Sequence, residues 1–444
     1  MPRLARKGLE AWVNWAGNQT CSPKESLRPA IEEEIVAAVE RAQSSGSRIK
    51  AVGSGHSFTD VACTDGLMVS LERYSGVENY SLDPPTAIIR AGMTIEAAAA
   101  SLYALGLAFS SLGDIGKQSL AGAIATGTHG TSSLFGSISA QVNYVRIVDG
   151  RGRILELTED NDSDLFQAAR VNLGALGIVT AVGFELEPTF NLLTKEWPIP
   201  WEEALCSLDE LRSGNEHFEF FWFPHTDKVL AKSHNRTSKE PKEVDPKKLW
   251  FYTIFLGNYV FETLCRVGRM FPAAIPSINK RIADMETSSS RVLPGYKAFL
   301  NERMVRFYEM EYAIPVEETA PVLRRLRKAI EDFGLRISFP VEVRFTPAET
   351  PWLSPAYGRD TAWIAVHTYR GMQPIQYFQM VEALMEEVGG RPHWGKMHFR
   401  SAATLESVYP QWKAFQQVRA ELDPVGLFRN PYTDRVLGTG KSED

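Results

Sequence analysis

The sequence predicts an α+β fold of two domains, and three observations support this expectation. Residues 28–190 alternate short β-branched runs with apolar patterns of helical period. From about residue 195 a second set of elements follows in the order strand, helix, strand, strand, helix, which favours a sheet covered by helices on one face. A chain of 444 residues is also too long for one compact core.

The same patterns place the domain boundaries and the elements. We expect a first, ligand-binding domain at residues 1–192, a second domain at 193–395 and a C-terminal segment at 396–444 that returns to the first domain. Strands are expected at residues 67–71, 87–91, 142–148, 179–186, 310–314, 337–345 and 363–369. Helices are expected at residues 32–42, 95–105, 316–333, 374–388 and 409–422, and a surface loop at 238–248.

Charge and cysteine content limit the partners and the compartment. The net charge of −6 and the pI near 5.9 argue against a nucleic-acid partner, since such proteins need a basic face. The 4 cysteines form no C-x-x-C pair, so we expect neither a metal site nor a disulfide framework, and a cytoplasmic location is the default. The first residues carry charge with no apolar segment behind it, so we expect no secretory signal.

One segment, residues 249–261, is strongly apolar. It is shorter than the roughly 20 residues that span a bilayer. We predict that it is a buried helix of the second domain. The alternative is a helix lying on a membrane surface, because Lys247 and Lys248 precede it and aromatic residues fill it.

Two glycine-rich loops in the first domain indicate a site for a large anionic ligand. Gly53, Ser54 and Gly55 follow a predicted strand, and glycine lets backbone N–H groups converge on a pyrophosphate. The segment after His56 lacks a helical period, so this is not the strand, G-x-G-x-x-G, helix arrangement of other dinucleotide sites. The second loop, residues 122–130, combines glycines and threonines, which suit close backbone approach to a flat ligand.

Polar side chains stand out on two strands and one loop of the second domain. With a period of two, Glu342 and Arg344 share one face of a strand, and apolar residues share the other. The same period aligns His367 with two aromatic residues, and the loop at 391–396 ends in Lys396. Each of these patterns, taken alone, has an ordinary structural explanation. The explanations are, in order, a surface ion pair, a hydrogen-bonded structural histidine and an exposed turn.

Four motifs carry a resemblance: G-x-G-H-S at 53–57, A-T-G-T-H-G at 125–130, E-x-R at 342–344 and H-W-x-K at 393–396. In this order they make the chain resemble the sugar-1,4-lactone oxidases of the vanillyl-alcohol oxidase flavoprotein superfamily, which include gulonolactone, galactonolactone and arabinonolactone oxidases. The resemblance runs almost end to end. It implies an FAD-binding domain of the para-cresol methylhydroxylase (PCMH) type and a cap domain, built on an antiparallel sheet with helices, over the isoalloxazine ring.

The resemblance also implies roles for individual residues. His56 matches the histidine that the family's oxidases bond covalently to the flavin 8α-methyl carbon. Glu342, Arg344 and Lys396 match residues that face the substrate, and His367 is a candidate base or orienter. The other residues that match FAD-binding segments are Val52, Gly53, Ser54, Gly55, Ser57, Ser111, Gly113, Ser119, Gly122, Ala125, Thr126, Gly127, His129, Ile178 and Val179.

The implied reaction is hydride transfer from a sugar carbinol carbon to flavin N5. On a 1,4-lactone this gives a 2-keto lactone that enolises to an ascorbate-type ene-diol. Gly113 aligns with the position beside flavin C4a where an alanine restricts oxygen in a plant dehydrogenase relative. We therefore expect O2 to be the acceptor and hydrogen peroxide the product, the alternative being that Gly113 serves a turn.

Other interpretations use the same residues. An alditol oxidase would act on an open-chain polyol such as xylitol or sorbitol, and a lactone dehydrogenase would pass electrons to an acceptor other than oxygen. A flavin-carrying scaffold docked to a membrane complex belongs to a different class of protein. The intact set of Glu342, Arg344 and Lys396 argues against that scaffold.

Overall fold

The computed structural model describes residues 11–242, 247 and 250–440. The remaining residues, including the N-terminal segment considered above and parts of the predicted loop at 238–248 and of the apolar segment, lie outside the described part. Within it, helices combine with parallel and antiparallel sheets, which confirms the α+β prediction.

From residue 11 onward, the first part of the chain contains short strands and four α-helices. The strands are β1 (Trp12–Val13), β2 (Thr20–Cys21), β3 (Glu25–Leu27), β4 (Ile49–Val52), β5 (Leu67–Ser70), β6 (Val77–Leu82), β7 (Pro85–Arg90), β8 (Leu107–Ala108), β9 (Val142–Val148), β10 (Ile154–Leu157), β11 (Ile178–Glu185) and β12 (Glu187–Pro188). The α-helices are Glu32–Ser44, Ile95–Ala104, Leu120–Ala125 and Ser163–Arg170, and Ile138–Gln141 is a 3₁₀ turn.

These strands form a parallel sheet in the order β3-β5-β4 and an antiparallel sheet in the order β10-β9-β11-β7-β6, with the short pairs β1-β2 and β12-β8. Ile89, Val145 and Val182, on adjacent strands of the antiparallel sheet, are completely buried in one core. Ile35 and Val39 reach the same core from the helix Glu32–Ser44, because their spacing puts them on one helical face.

The second part is dominated by one large sheet. Its strands are β13 (Asn191–Pro200), β14 (His217–Trp222), β15 (Lys228–Thr237), β16 (Ser289–Pro294), β17 (Phe307–Pro315), β18 (Val341–Thr346), β19 (Thr361–Tyr369) and β20 (Arg391–Pro392). They form an eight-stranded antiparallel sheet in the order β16-β13-β15-β14-β18-β19-β17-β20. The α-helices are Trp201–Cys206, Leu208–Ser213, Phe261–Met270, Ile275–Met285, Gly295–Phe299, Thr319–Asp332 and Ile375–Glu386, and Pro272–Ala274 and Val316–Glu318 are 3₁₀ turns.

The two faces of the large sheet differ in character. Phe220, Val343 and Ile364 are fully buried on one face, where Leu326 and Phe378 from two covering helices pack against them. The charged residues that alternate with these positions point to the opposite face. The alternation predicted for Glu342 and Arg344 is thus confirmed, as is a sheet covered by helices on one face.

The C-terminal segment packs on the first core. Its helices are Ala402–Leu405, Trp412–Leu422 and Pro431–Leu437. Phe415 and Tyr432 are completely buried among first-part residues. The Asn430 amide donates hydrogen bonds to the carbonyls of Asp60, Val61 and Cys63, at 2.9, 3.0 and 2.9 Å.

Two strand starts differ from the sequence prediction by three residues or more. β18 begins at Val341 and not at residue 337, because Pro340 has no N–H to donate to a neighbouring strand. β17 begins at Phe307 and not at residue 310, which brings Glu309 into the sheet.

The prediction of a buried helix at residues 249–261 is wrong for the part that the structure describes. Residues Phe251–Val260 form a π-helix. The side chains of Trp250, Phe251 and Tyr259 are exposed by 53%, 43% and 51%. An apolar run is buried when a neighbouring element covers it, and composition does not reveal that neighbour. Among the described helices, each is too short or too polar to cross a membrane.

Candidate active site

Two cavities meet between the loops of the first part and the charged face of the large sheet. The glycine-lined cavity has a volume of about 440 Å³, and its lining includes residues 50–57 and six residues of the segment 118–126. The charged cavity has a volume of about 710 Å³ and receives side chains from β17 and β18. Four residues line both: His56, Ser57, Gln118 and Thr126. A ligand with two distinct halves can therefore occupy both cavities.

Glycine is required where the two predicted loops approach each other. A Cβ atom on Gly53 would lie 2.1 Å from Oγ of Ser119, so that hydroxyl would have to move and lose its hydrogen bond from the N–H of Gly122. Gly55 has φ +70° and faces the ring of Trp12. Ser119 accepts a hydrogen bond from the N–H of Gly122 and so caps the helix Leu120–Ala125 at the second loop. The loops thus expose backbone where a ligand can approach closely.

A buried lysine closes one side of the glycine-lined cavity. Nζ of Lys50 donates to the carbonyls of Leu173, Gly174 and Phe428, at 3.4, 3.0 and 3.2 Å. Burial lowers the pKa of Lys50 to about 7. The side chain joins β4 to the loop before β11 and to the C-terminal segment.

His56 stands at the junction of the two cavities. Its ring stacks on Trp15 with the ring centroids 5.6 Å apart and an interplanar angle of 23°. Burial, followed by the positive charges of Lys396 and Lys117, lowers the pKa of His56 to about 4. The imidazole is therefore neutral at physiological pH.

The charged cavity owes its character to the period of the strands. Glu309 and Glu311 both project from β17 into this cavity because they are two residues apart. The register pairs Glu309 with His367 and Arg344 with Trp363 on the intervening strand β19. Acidic and basic side chains from separate strands are thereby brought onto one wall.

Arg344 is held by carboxylates on three elements. Its Nε lies 3.0 Å from Oε2 of Glu219 on β14, and its Nη2 forms an ion pair with Glu342 and lies 3.5 Å from Oδ1 of Asp114. Glu219 in turn accepts from Nζ of Lys232, at 2.8 Å. Burial raises the pKa of Glu342, even though the Arg344 charge opposes the shift.

Lys396 enters the cavity from the loop after β20. Its Nζ lies 2.5 Å from Oε2 of Glu309, and Oε1 of Glu309 lies 3.6 Å from Nε2 of His367. Nδ1 of His367 donates to the carbonyl of Pro340, at 3.0 Å. His367 therefore lies behind Glu309 and reaches the cavity through that carboxylate.

Asp114 joins the first part of the chain to the second. Its carboxylate accepts from Nε of Arg303 at 2.8 Å and lies near Arg344, and its carbonyl accepts from the N–H of Asn301 at 2.9 Å. Burial alone would raise the pKa of Asp114, but the charges of Arg303 and Arg344 lower it well below its ordinary value. The carboxylate is therefore ionised.

The structure divides the predicted site residues into two groups. Fifteen line a cavity: Val52, Gly53, Ser54, Gly55, His56, Ser57, Gly113, Ser119, Gly122, Ala125, Thr126, His129, Val179, Arg344 and Lys396. Five lie outside both linings: Ser111, Gly127, Ile178, Glu342 and His367. The roles predicted for the residues of both groups stay predictions.

Several lining residues were missed by the sequence analysis: Trp15, Asp114, Arg303, Glu309 and Glu311. For Glu309 and Glu311 a signal existed, because they alternate with Met310 and Tyr312 in the manner of Glu342 and Arg344. Asp114 follows Gly113, but nothing local reveals that a loop carboxylate meets an arginine 230 positions away in the chain.

The paired cavities fit a flavin dinucleotide. The glycine-lined cavity presents backbone and hydroxyl groups suited to a pyrophosphate and a nucleoside. The charged cavity is large enough for a flat ring together with a small polar substrate. A dinucleotide site in the glycine-lined cavity would thus continue into the charged cavity.

Comparisons with known proteins agree with this geometry. Residues 23–158 match an FAD-binding domain, and residues 182–436 match the D-arabinono-1,4-lactone oxidase family. The fold resembles that of a cholesterol oxidase from Brevibacterium sterolicum, with a TM-score of 0.78, 18% identity and 96% of each chain covered.

Full-length relatives extend the likeness. An L-gulono-1,4-lactone dehydrogenase of Mycobacterium tuberculosis is 42% identical, with 96% of this chain and 99% of that protein covered. The L-gulonolactone oxidase of Scyliorhinus torazame is 33% identical, with 96% of this chain and 97% of that protein covered. The L-gulonolactone oxidase of Mus musculus is 32% identical, with 97% of this chain and 99% of that protein covered.

Fold and site together define an FAD-binding oxidoreductase of two domains. The family match at residues 182–436 covers more than half of the chain and identifies the family within this class. The protein belongs to the D-arabinono-1,4-lactone oxidase family.

Proposed function

We propose that this protein oxidises a sugar 1,4-lactone, of the L-gulono, L-galactono or D-arabinono type, with FAD as cofactor and O2 as acceptor, releasing hydrogen peroxide. The observation that carries the proposal is the junction at His56, where a glycine-lined cavity opens into a chamber walled by Arg344 and Lys396. FAD held in these cavities would supply a hydride acceptor: the lactone carbinol would lose a hydride and its hydroxyl proton to become a carbonyl, and O2 would take up the two electrons and two protons as hydrogen peroxide.

The pairing of charges favours a neutral polyhydroxyl substrate. Lys117 pairs with Glu96 at 2.6 Å, Arg303 with Asp114 and Lys396 with Glu309. Cations already neutralised in this way offer hydrogen bonds to hydroxyl and ring oxygens but little net attraction for a carboxylate. A closed lactone therefore fits better than the open-chain aldonate.

Arg344 and Lys396 are the groups proposed to orient the substrate. Both line the charged cavity, and both are fixed by carboxylates behind them. Preorganised donors of this kind stabilise negative charge that develops on a reacting oxygen. The position of His367 behind Glu309 favours the orienting role over that of a direct base.

We also propose the covalent bond between His56 and the flavin 8α carbon. The neutral imidazole leaves a ring nitrogen with a free electron pair, and Trp15 fixes the ring plane. Acid precipitation of the purified protein tests the bond. Flavin should stay in the wild-type pellet and leave it in His56→Ala, whereas His225→Asn, which alters a histidine outside both cavities, should retain it.

Oxygen consumption with gulono-, galactono- and arabinono-1,4-lactones, beside xylitol and sorbitol, tests the substrate and the acceptor. Turnover of a lactone with stoichiometric peroxide supports the proposal. Turnover of polyols alone would assign the protein to the alditol oxidases.

A dehydrogenase is the second candidate, because the relative at 42% identity carries that name. Anaerobic reduction by a lactone followed by mixing with O2 separates the two activities. A flavin that is bleached by the lactone and stays reduced in O2 would contradict the oxidase proposal and support the dehydrogenase.

A further inference from the structure

Arg303 lines the charged cavity, and the proposed reaction leaves it without a role. It belongs to the segment 300–306, which joins the helix Gly295–Phe299 to β17. Its side chain is 33% exposed, whereas that of Arg344 is 11% exposed. Arg303 is therefore the more accessible of these two guanidinium groups.

The carboxylate of Asp114 lies between the two arginines. Its Oδ2 lies 2.8 Å from Nε and 2.5 Å from Nη2 of Arg303, and its Oδ1 lies 3.5 Å from Nη2 of Arg344. Asp114 thus engages the Nε–Nη2 edge of the planar Arg303 guanidinium, and the hydrogens of the Nη1–Nη2 edge lie on another side. Among the residues that the structure describes, no hydrogen bond or ion pair engages Nη1. This second edge is therefore available to a ligand.

The residues on either side of Arg303 are held by one side chain. Asn258 is buried within the π-helix Phe251–Val260. Its amide donates to the carbonyl of Glu302 at 3.2 Å and accepts from the N–H of Met304 at 2.8 Å. π-Helical turns are rare and occur frequently at functional sites. The backbone that carries Arg303 is fixed before a ligand arrives, which lowers the entropic cost of binding.

We propose that Arg303 binds the exocyclic vicinal diol of a six-carbon lactone and so selects for the length of the sugar chain. This inference rests on the proposed function, which places the reacting carbon beside Arg344 and Lys396. The two parallel N–H groups of a guanidinium edge match two adjacent hydroxyl oxygens. A gulono- or galactono-1,4-lactone carries such a diol at C5 and C6, whereas an arabinono-1,4-lactone carries a single exocyclic hydroxyl at C5. The charge of Arg303 is balanced by Asp114, which suits a neutral diol.

A purely structural role is the rival explanation for Arg303. The side chain would then serve only to fasten its segment to Asp114. Loss of that attachment would disturb the whole cavity and weaken the binding of five-carbon and six-carbon lactones alike. The ratio of the two dissociation constants therefore distinguishes a diol-binding residue from a structural one.

Anaerobic rapid mixing of the flavin-loaded protein with each lactone measures this ratio, because it yields a dissociation constant and a limiting rate of flavin reduction without any electron acceptor. In Arg303→Met, the dissociation constants of the gulono- and galactono-lactones should rise about tenfold, the effect of losing a hydrogen bond to a charged group. The constant for the arabinono-lactone and the limiting rates should stay within about twofold. Equal weakening for all three lactones would overturn the proposal.

Two further variants control for charge and folding. Arg306→Met removes an exposed arginine three residues later, outside both cavities, and should change none of these constants. Arg303→Lys keeps a cation beside Asp114 but lacks the second donor edge. It should retain the thermal stability of the wild type and show the same selective loss for six-carbon lactones. Wild-type affinity of Arg303→Lys for these lactones would contradict the role given to the guanidinium edge.

Polyols separate a failure of this inference from a failure of the proposed function. Reduction of the wild-type flavin by polyols alone would refute lactone oxidation. Xylitol and the four-carbon threitol would then replace the lactones. On oxidation at C1, the C4 and C5 hydroxyls of xylitol are as many bonds from the reacting carbon as those at C5 and C6 of a lactone oxidised at C2. A selective loss for xylitol in Arg303→Met would retain the diol-binding role, and an equal loss for both polyols would overturn it.

Discussion

Nζ of Lys396 lies 2.5 Å from Oε2 of Glu309 at the wall of the charged cavity. The two residues come from different parts of the chain, a loop after β20 and the middle of β17. The Glu309 carboxylate also faces His367 on the neighbouring strand β19. One carboxylate therefore contacts both the lysine and the histidine behind it. The position of the Lys396 ammonium is thus set by the large sheet.

Lys396→Met should lower kcat by about 10²- to 10³-fold, the usual effect of losing one preorganised donor. It should also destabilise the protein by about 3 kcal/mol, because Glu309 is left buried without its partner. Steady-state kinetics and thermal unfolding check both effects. The double variant Lys396→Met/Glu309→Gln should recover stability without recovering activity, and recovery of both would argue against a role in the reaction.

Arg344→Lys should reduce kcat by about 100-fold although the charge is retained. An ammonium cannot reproduce the planar fork that meets Glu219, Glu342 and Asp114 at once. Arg325→Lys is the matched control, since Arg325 pairs with Glu387 at the surface and the change should alter stability by less than about 0.5 kcal/mol. Equal kinetics for both variants would show that charge alone suffices at position 344.

Lys50 should make the stability depend on pH. Its pKa is about 7 in the folded protein and about 10.5 when unfolded, so between these values the unfolded chain binds more protons. The free energy of unfolding should therefore rise with pH, by at most about 1.4 kcal/mol per unit from this group. Urea unfolding of the wild type and of Lys50→Met at pH 7 and 9 isolates the contribution. An identical slope in both proteins would exclude it.

Gly113→Ala should slow the reaction of the reduced flavin with O2, if the proposed acceptor is right, and should also destabilise the fold by about 1–3 kcal/mol. The destabilisation has a local cause, because the new Cβ would lie 2.8 Å from the carbonyl oxygen of His129. Stopped-flow reoxidation and thermal unfolding measure the two effects separately. Loss of stability with an unchanged reoxidation rate would mean that Gly113 serves the close approach of two loops.

The sequence was sufficient to predict side-chain positions where local backbone geometry determines them. A period of two in β18 correctly separated Glu342 and Arg344 from their apolar neighbours, since strand geometry alone decides which face a side chain occupies. The same reasoning was available for Glu309 but failed, because the strand was expected to begin one residue too late to include it.

The sequence was insufficient to predict burial and side-chain partners where contacts between distant residues determine them. The apolar residues Trp250 and Tyr259 are exposed, since hydrophobicity does not specify a covering partner. Asp114 and Arg303 meet across 189 positions, and no periodicity relates a loop to such a partner. The predicted positions of Ser111 and Ile178 came from resemblance alone, and their contact with a cofactor stays a prediction.

Asn430 donates hydrogen bonds to residues 60–63, and Lys50 donates one to Phe428. These bonds affect the order in which the site can form during synthesis. Phe428 and Asn430 leave the ribosome after the entire large sheet has been translated. The segments on either side of the loop that carries His56 therefore gain these bonds only after the large sheet has been made. We expect cofactor capture to require residues 428–430, so a nascent chain that stops before residue 428 should be unable to hold flavin.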